Sequence, residues 1–313
     1  MNARLGRGMR MLLPVLTAFA LTLAAVAASA EPDRPSSVRA PRAASAVGQA
    51  SVTACNPKAS SLRPSGPLQV TPGSFMEKIR ARGYLIAGVD QNTYHFGFLN
   101  PLSGQIEGFD IDMIKAVARY IGVTKVEYKA ISDDQRIPDV ENGAVDIVAH
   151  TMTILCDRLK YVDFSSVYFD AGQRVLVLKS SAARSLTALA GQKVCATTGS
   201  DSLARIIAAR AIPVRVPYWT DCLVLLQQGD VAAISTDDTI LDGLKAQDPW
   251  TMLVGSRLSD EPYGLAISKQ HPEFVRFVNA VLEQLRTDGQ WAASYRAWIG
   301  SPAPAPPRAE YAD

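Results

Sequence analysis

The sequence predicts an α/β fold built as two similar lobes, each a mainly parallel sheet flanked by helices. Three observations carry this reading. Apolar runs of strand length alternate with segments of helical periodicity from Tyr84 onward. One helix, glycine, strand phrase occurs twice, at 136–147 and again at 222–234. The chain has 313 residues, 48% apolar and 20% charged. That composition supplies core for roughly two domains and excludes global disorder.

The first thirty residues stand apart. Arg4, Arg7 and Arg10 form a basic start, 11–27 is an apolar run, and Ala28-Ser29-Ala30 precedes Glu31. This is the pattern of a secretory signal peptide cut after Ala30. A mainly apolar run of seventeen residues lies at the lower edge of a membrane-spanning length, so a permanent anchor is the weaker reading. Export predicts an oxidising compartment. The four cysteines, Cys55, Cys156, Cys195 and Cys222, all lie beyond the cleavage site. They predict two disulfides, with three pairings open. Val52-Thr53-Ala54-Cys55 imitates a lipoprotein cleavage pattern, but 37–51 carries two arginines and no apolar run feeds that site.

Residues 31–66, rich in Pro, Ser, Ala and Arg, read as a flexible tether ordered only near Cys55. The tail 301–313, with Pro-Ala-Pro-Ala-Pro-Pro, reads as disordered. Between them, 84–89 is a strand ending at Asp90, and Asn100-Pro101 to Gly104 is a turn. A helix begins at Asp110 with Ile111, Ile114, Ala118 and Ile121 on one face and stops at Gly122. Residues 126–130 form a second strand, a helix runs to Asn142-Gly143, and 145–149 forms a third strand. The phrase from Cys222 through Gly229 to Ile234 repeats this pattern and ends at Thr236-Asp237. Phe274, Phe277, Val278, Val281 and Leu285 mark the core-facing side of a C-terminal helix.

Charge narrows the function. Lys+Arg total 32 and Asp+Glu 30, and removing the three leader arginines takes the net charge from +2 to −1. That excludes nucleic acid as the main partner. Three scattered histidines make no metal site, and no metal or cofactor is expected. There is no Gly-x-Ser-x-Gly, His-Glu-x-x-His, P-loop or Gly-x-Gly-x-x-Gly. Binding groups stand out instead. Thr151 and Thr153 sit two apart and face one side of an extended chain, and Arg158 follows. Hydroxyls and a guanidinium together can hold a carboxylate. Plain strand threonines with Arg158 on a solvated turn are the equal alternative. Ser200 or Asp201 caps a helix start, which suits a carboxylate or is capping alone. Asp237 ends a strand, where it could receive an ammonium group, or cap a helix as Asp238 does. Arg136 beside Asp133 and Asp134 is either a ligand group or a surface salt bridge of little energy.

In the first lobe, Gly108-Phe109-Asp110-Ile111-Asp112, Arg136-Ile137-Pro138, Val145-Asp146-Ile147, Thr151-Met152-Thr153, Arg158 and Val162-Asp163-Phe164-Ser165 follow in order. In the second stand Gly191-Gln192-Lys193-Val194-Cys195, Thr198-Gly199-Ser200, Thr236-Asp237-Asp238 and Pro262-Tyr263-Gly264. Over 68–300 the chain resembles the bacterial extracytoplasmic solute-binding proteins of polar amino-acid ABC transporters (solute-binding protein family 3), the actinobacterial glutamate/glutamine-binding members above all. The resemblance implies a periplasmic-binding-protein type II fold with two hinge strands, expected around 172–178 and 263–268. Lobe 1 would occupy 67–173, lobe 2 174–264, and the return to lobe 1 265–300.

The resemblance also implies a free amino acid between the lobes and no catalysis. Its α-carboxylate falls to Arg158, with Thr153 and the Ser200 helix start, and its ammonium group to Asp237, with Thr151. Family members that bind glutamate and aspartate hold the side-chain carboxylate with an arginine in Arg-Ile-Pro, here Arg136. Glutamate or aspartate is therefore expected ahead of asparagine and glutamine. Tyr94 is the expected aromatic lid, and His150 either touches the distal carboxylate or packs. Gln91 and Trp219 complete the ligand set. A family lysine is Thr197 here. The expected partner is the membrane permease of an ABC transporter, outside the cytoplasm and without a lipid anchor. A membrane sensor protein signalling to a cytoplasmic kinase is the alternative, and a dehydratase on the same fold comes third. Within this frame Cys195, at a strand end, pairs with Cys222 at the start of a neighbouring helix, leaving Cys55 for Cys156.

Overall fold

The computed structural model describes residues 55–313. The expected signal peptide and residues 31–54 of the expected tether lie outside the described residues. In the first lobe α1 (Phe75–Arg82) leads into β1 (Tyr84–Val89). Three short strands follow, β2 (Asn92–Thr93), β3 (Gly97–Leu99) and β4 (Ile106–Glu107), then α2 (Phe109–Ile121), β5 (Lys125–Ala130), α3 (Arg136–Glu141), β6 (Ile147–Ala149) and β7 (Val162–Phe164). The chain crosses on β8 (Phe169–Ala171). The second lobe contains β9 (Gln173–Leu178), β10 (Lys193–Thr197), α4 (Ser202–Ala208), β11 (Ile212–Val216), α5 (Trp219–Gln228), β12 (Ala233–Asp237), α6 (Asp238–Gln247) and β13 (Thr251–Val254). The return is β14 (Glu261–Tyr263), followed by β15 (Ala266–Ser268), α7 (Pro272–Thr287) and α8 (Gln290–Trp298).

Each lobe carries a five-stranded sheet, in the orders β5-β1-β6-β15-β7 and β11-β10-β12-β9-β13. Parallel pairing joins β1 to β5 and β6, and β10 to β11 and β12. The inserted strands, β15 and β9, run antiparallel to their neighbours. Because β15 enters the first sheet only after the second lobe is complete, the second lobe is an insertion within the first and the chain crosses between them twice. This is the two-lobe type II arrangement.

Side-chain alternation fixes the layers. Along β1, Leu85, Ala87 and Val89 enter the core beneath α2 and α7, while Ile86 packs on the opposite face with Ile131 and Val148. Helix α2 stops where Gly122 adopts φ 93° and its N–H reaches the Ala118 and Arg119 carbonyls. The second lobe packs around Val175, Leu176 and Val177 of β9, and inside this core the Cys195–Cys222 disulfide joins β10 to α5. The other disulfide is Cys55–Cys156.

Three expectations are corrected. The lobes are connected by the antiparallel ribbon of β8 and β14, a few residues before the expected positions. Residues 173–178 lie instead within the second sheet, and 266–268 within the first. The apolar Val-Leu-Val run is the reason, since a strand buried on both faces is worth more as sheet core than as a solvated connection. The tail 301–313 is not loose. Tyr311 pairs with Ser61, its hydroxyl donates to Glu283 at 2.6 Å, and Asp313 pairs with Arg276 at 2.7 Å. From Cys55 on, the tether is fixed too: Ser61 is buried and donates to the Phe164 carbonyl at 2.6 Å. Asn279 is the polar centre of this corner. Its amide donates to Ser61 Oγ at 2.7 Å and to the Leu62 carbonyl at 2.6 Å, and its Oδ1 accepts the Ser166 N–H at 2.6 Å. Asn279→Ala strands these buried partners and should lower stability by about 2–3 kcal/mol in denaturant unfolding; a loss below about 0.5 kcal/mol would show that the corner is held otherwise.

Candidate ligand-binding site

The parallel strands of both sheets end at polar residues. In the first lobe β1 ends at Asp90 and β6 at His150 and Thr151; in the second β10 ends at Thr197 and β12 at Asp237. Open α/β sheets place their ligand sites at such carboxyl ends. Here the two sets meet. Thr197 Oγ1 donates to Asp133 across the boundary. The turn at Gly199 lies so close to the first lobe that a Cβ there would stand 2.7 Å from the Asp134 backbone nitrogen, and its φ of 85° also favours glycine.

Two guanidiniums are buried at this boundary. Arg136 opens α3 and is 4% exposed, and Arg158 opens a short 3₁₀ turn and is 8% exposed. Each has Nη2 3.4 Å from the Gly199 carbonyl of the other lobe. Arg158 also donates to the Thr153 carbonyl at 2.7 Å and lies 3.5 Å from Asp201. Arg136 donates to the His150 carbonyl at 3.2 Å and to the Asp133 carbonyl at 2.9 Å, and pairs with the Asp133 carboxylate at 3.0 Å. Burial, and then the Arg136 charge, lower the Arg158 pKa, while Asp201, Asp133 and Asp237 act the other way.

Facing them is a group of buried acids. Asp237 accepts the Tyr263 hydroxyl at 2.7 Å, and Tyr263 is bonded in turn to Thr239 at 2.7 Å. Burial, with Asp201 and Glu261 nearby, pushes the Asp237 carboxyl well above the usual range. Burial also works against ionised Asp201, but the Arg158 and Arg205 charges and its bond to Glu261 hold its pKa below the ordinary value. Glu261, on the hinge ribbon, pairs with Arg205 at 3.0 Å. Burial and the neighbouring Asp201 raise its pKa to about 7. Asp110 is buried at the start of α2, where it accepts the Thr151 N–H at 2.8 Å and the Tyr168 hydroxyl at 2.7 Å. Burial, against these two bonds, raises its pKa to about 6. This bond fixes Thr151, a non-glycine residue at φ 42°.

The expected site residues are therefore partly brought together. Arg136, Arg158, Thr153, Thr151, His150 and Asp237 lie on the facing edges, though Thr153 meets Arg158 through its carbonyl rather than its hydroxyl. His150 Nε2 is 3.0 Å from the Ile131 carbonyl and its Nδ1 3.4 Å from Asp133. Ser200 donates to the Thr197 carbonyl at 3.0 Å, and α4 starts only at Ser202. Trp219, with its indole N–H buried and unpartnered, lies beside Asp90, Asp133, His150 and Thr197, with no room for a water molecule between them. Tyr94 stands apart: its ring packs on His95 and Phe98, with centroids 4.1 and 4.8 Å away. Gln91 is half-buried and engaged through its carbonyl with the Leu99 N–H at 2.8 Å. The sequence offered Asp201 only as a helix cap, a bond its side chain does not make, and did not point to Asp110 or Glu261 as parts of this network. An acid inside the apolar stripe of α2 is the signal that could have found Asp110.

The Glu261 environment sets a pH dependence. Between its ordinary value of 4.5 and about 7 the folded protein keeps a proton that the unfolded chain releases, so this group's contribution to stability falls as pH rises through that window. Glu261→Gln should flatten that part of the stability–pH curve measured by thermal denaturation. An unchanged slope would mean that Glu261 is ionised throughout.

The matches to known proteins agree with this geometry. The model of the bacterial extracellular solute-binding proteins, family 3, matches residues 85–301. The ABC transporter glutamine-binding protein GlnH of Bacillus subtilis is 38% identical over 226 residues, covering 71% of this chain and 83% of that protein. The glutamate/aspartate import solute-binding protein of Salmonella typhimurium is 26% identical over 247 residues, covering 74% and 82%. Among solved structures, an ancestral arginine-binding protein bound to glutamine superposes with TM-score 0.67 at 36% identity, covering 70% of this chain and 99% of that one. Two lobes, the crossing ribbon and a match spanning both halves lead to one assignment: this chain belongs to the bacterial extracellular solute-binding proteins of family 3.

Proposed function

We propose that the protein binds a free amino acid between its lobes and hands it to the permease of an ABC transporter on the outer side of the membrane. Glutamate or aspartate is the preferred ligand, with asparagine and glutamine weaker. The observation that carries this is the pair of buried guanidiniums. Two 3.4 Å contacts to one carbonyl oxygen put Arg136 Nη2 and Arg158 Nη2 within about 7 Å of each other, a spacing that suits a dicarboxylate. In the proposed complex the ligand takes over the bonds now accepted by the Gly199 carbonyl. Arg158 holds the α-carboxylate and Arg136 the distal one. Asp237, crowded by other carboxylates, gains in the ligand's ammonium group the cation it lacks.

Arg136 already has the Asp133 carboxylate at 3.0 Å. The distal site therefore presents strong donors with part of their charge offset, and a carboxamide remains a ligand. Similarity to a glutamine-binding protein, at 38% identity, and to a glutamate/aspartate-binding protein, at 26%, supports a ligand of this size and shape; the preference for the acid over the amide rests on the two guanidiniums alone. A ligand held by both lobes favours the closed form and shifts the population towards it.

A thermal-shift screen of the twenty amino acids on ligand-stripped protein should raise the melting temperature with glutamate or aspartate most. Removing one partner of a buried charged contact costs about 3–5 kcal/mol. Arg158→Ala should therefore abolish detectable binding of every amino acid. Arg136→Ala should weaken glutamate and aspartate far more than glutamine in calorimetry. An equal loss across all ligands would overturn the role given to Arg136.

A further inference from the structure

The start of the described chain runs beside the parts that carry Arg158. Ser61 is anchored in the first lobe by Phe164 and Asn279. Cys55, a few residues earlier, is bonded to Cys156, two residues before Arg158. Between these anchors Lys58 reaches Asp170 at 3.9 Å and Asp260 at 3.4 Å, one on each arm of the hinge crossing. Both ion pairs are exposed and weak. The covalent bond is the firm connection.

Apart from the side chains of Arg158 and of Leu159, which packs on the first-lobe core, the loop it holds makes no backbone bond to other elements between Leu155 and Lys160. Upstream, Thr153 bridges Tyr263 and the Ile154 N–H donates to Pro262 at 2.7 Å, so that side is fixed to β14. From Leu155 the backbone bonds within its own turn, with the Leu159 N–H donating to the Leu155 carbonyl at 3.0 Å. The two disulfides also differ in access. Cys195 and Cys222 are fully buried, whereas Cys55 is exposed and Cys156 half-buried.

We propose that Cys55–Cys156 is a redox-sensitive positioning element for Arg158, and that opening it weakens ligand binding while the two lobes stay folded. This rests on Arg158 being a ligand group, as proposed above. A dithiol would open the bond in two steps. One thiolate attacks an accessible sulfur to form a mixed disulfide, and the second thiolate then displaces the protein sulfur and closes a cyclic disulfide. Cys55 and Cys156 take up two electrons and two protons and become thiols. Freed from Cys55, the 155–160 turn samples positions in which Arg158 no longer faces Gly199 and Asp201. Apparent affinity then falls by the fraction of time the competent position is lost.

The test uses limiting dithiothreitol on the folded chain, followed by alkylation and peptide mapping, calorimetry with glutamate, aspartate and glutamine, and amide hydrogen exchange. Cys55 and Cys156 should be alkylated before Cys195 and Cys222. Dissociation constants should rise by about tenfold if the turn is competent a tenth of the time. Exchange across 155–160 should accelerate while β10 and β12 remain protected. Cys55→Ser with Cys156→Ser should bind like the reduced protein and no longer respond to the dithiol. Unchanged affinity with the bond open, unchanged exchange in the turn, or earlier alkylation of Cys195 and Cys222 would overturn the proposal. If the oxidised protein binds none of the amino acids, the ligand reading fails by itself, and the exchange result alone decides whether the disulfide positions the turn.

Discussion

A guanidinium withdrawn from water needs partners on every side, because an isolated buried charge is far too costly to persist. Arg158 finds its partners on both lobes: the Thr153 carbonyl from its own, and the Gly199 carbonyl and Asp201 from the other. Satisfying this one charge and bringing the lobes together are therefore the same event. The surrounding architecture serves that requirement. Parallel strands deliver Asp90, His150, Thr197 and Asp237 to facing edges, the ribbon of β8 and β14 lets two separately packed cores approach, and a glycine at 199 allows backbone to meet backbone.

The same boundary explains why its charges alternate. Burial and the Arg136 charge work against the charge on Arg158, while Asp201 and Asp133 favour it. On the opposite side burial, and then the Asp201 charge, disfavour the ionised forms of both Asp237 and Glu261. A zwitterion carries both signs and can relieve both halves at once, which neither a simple anion nor a simple cation does. The site's electrostatics thus favour the class of ligand bound by the relatives that the chain resembles.

Much of the fold was legible because periodicity is local. The helix of Ile111, Ile114, Ala118 and Ile121 ends at Gly122 for reasons contained in those residues, and the strand before Asp90 announces itself in six. The position of the crossing was less legible. Residues 173–178 look like any apolar strand, and only pairing with β12 and β13 makes them sheet rather than hinge. The proline-rich tail misled for a similar reason. Its own composition forms no core, and it is ordered by Ser61, Arg276 and Glu283, far away in sequence. At the site, residue types with one dominant chemistry, such as Arg158 and Asp237, could be nominated from the sequence. Residues whose role depends on a partner across the boundary could not. Asp133 looked like a surface neighbour of Arg136, and its burial against Thr197 exists only once the two lobes meet.

The most direct measurement is a crystal structure of the protein stripped of ligand and then grown with glutamate. The ligand's α-carboxylate is expected on the Arg158 guanidinium and its ammonium group on Asp237, between the lobes. A ligand seated away from both residues, or Arg158 still satisfied only by Thr153, Gly199 and Asp201 with the amino acid bound elsewhere, would contradict that placement.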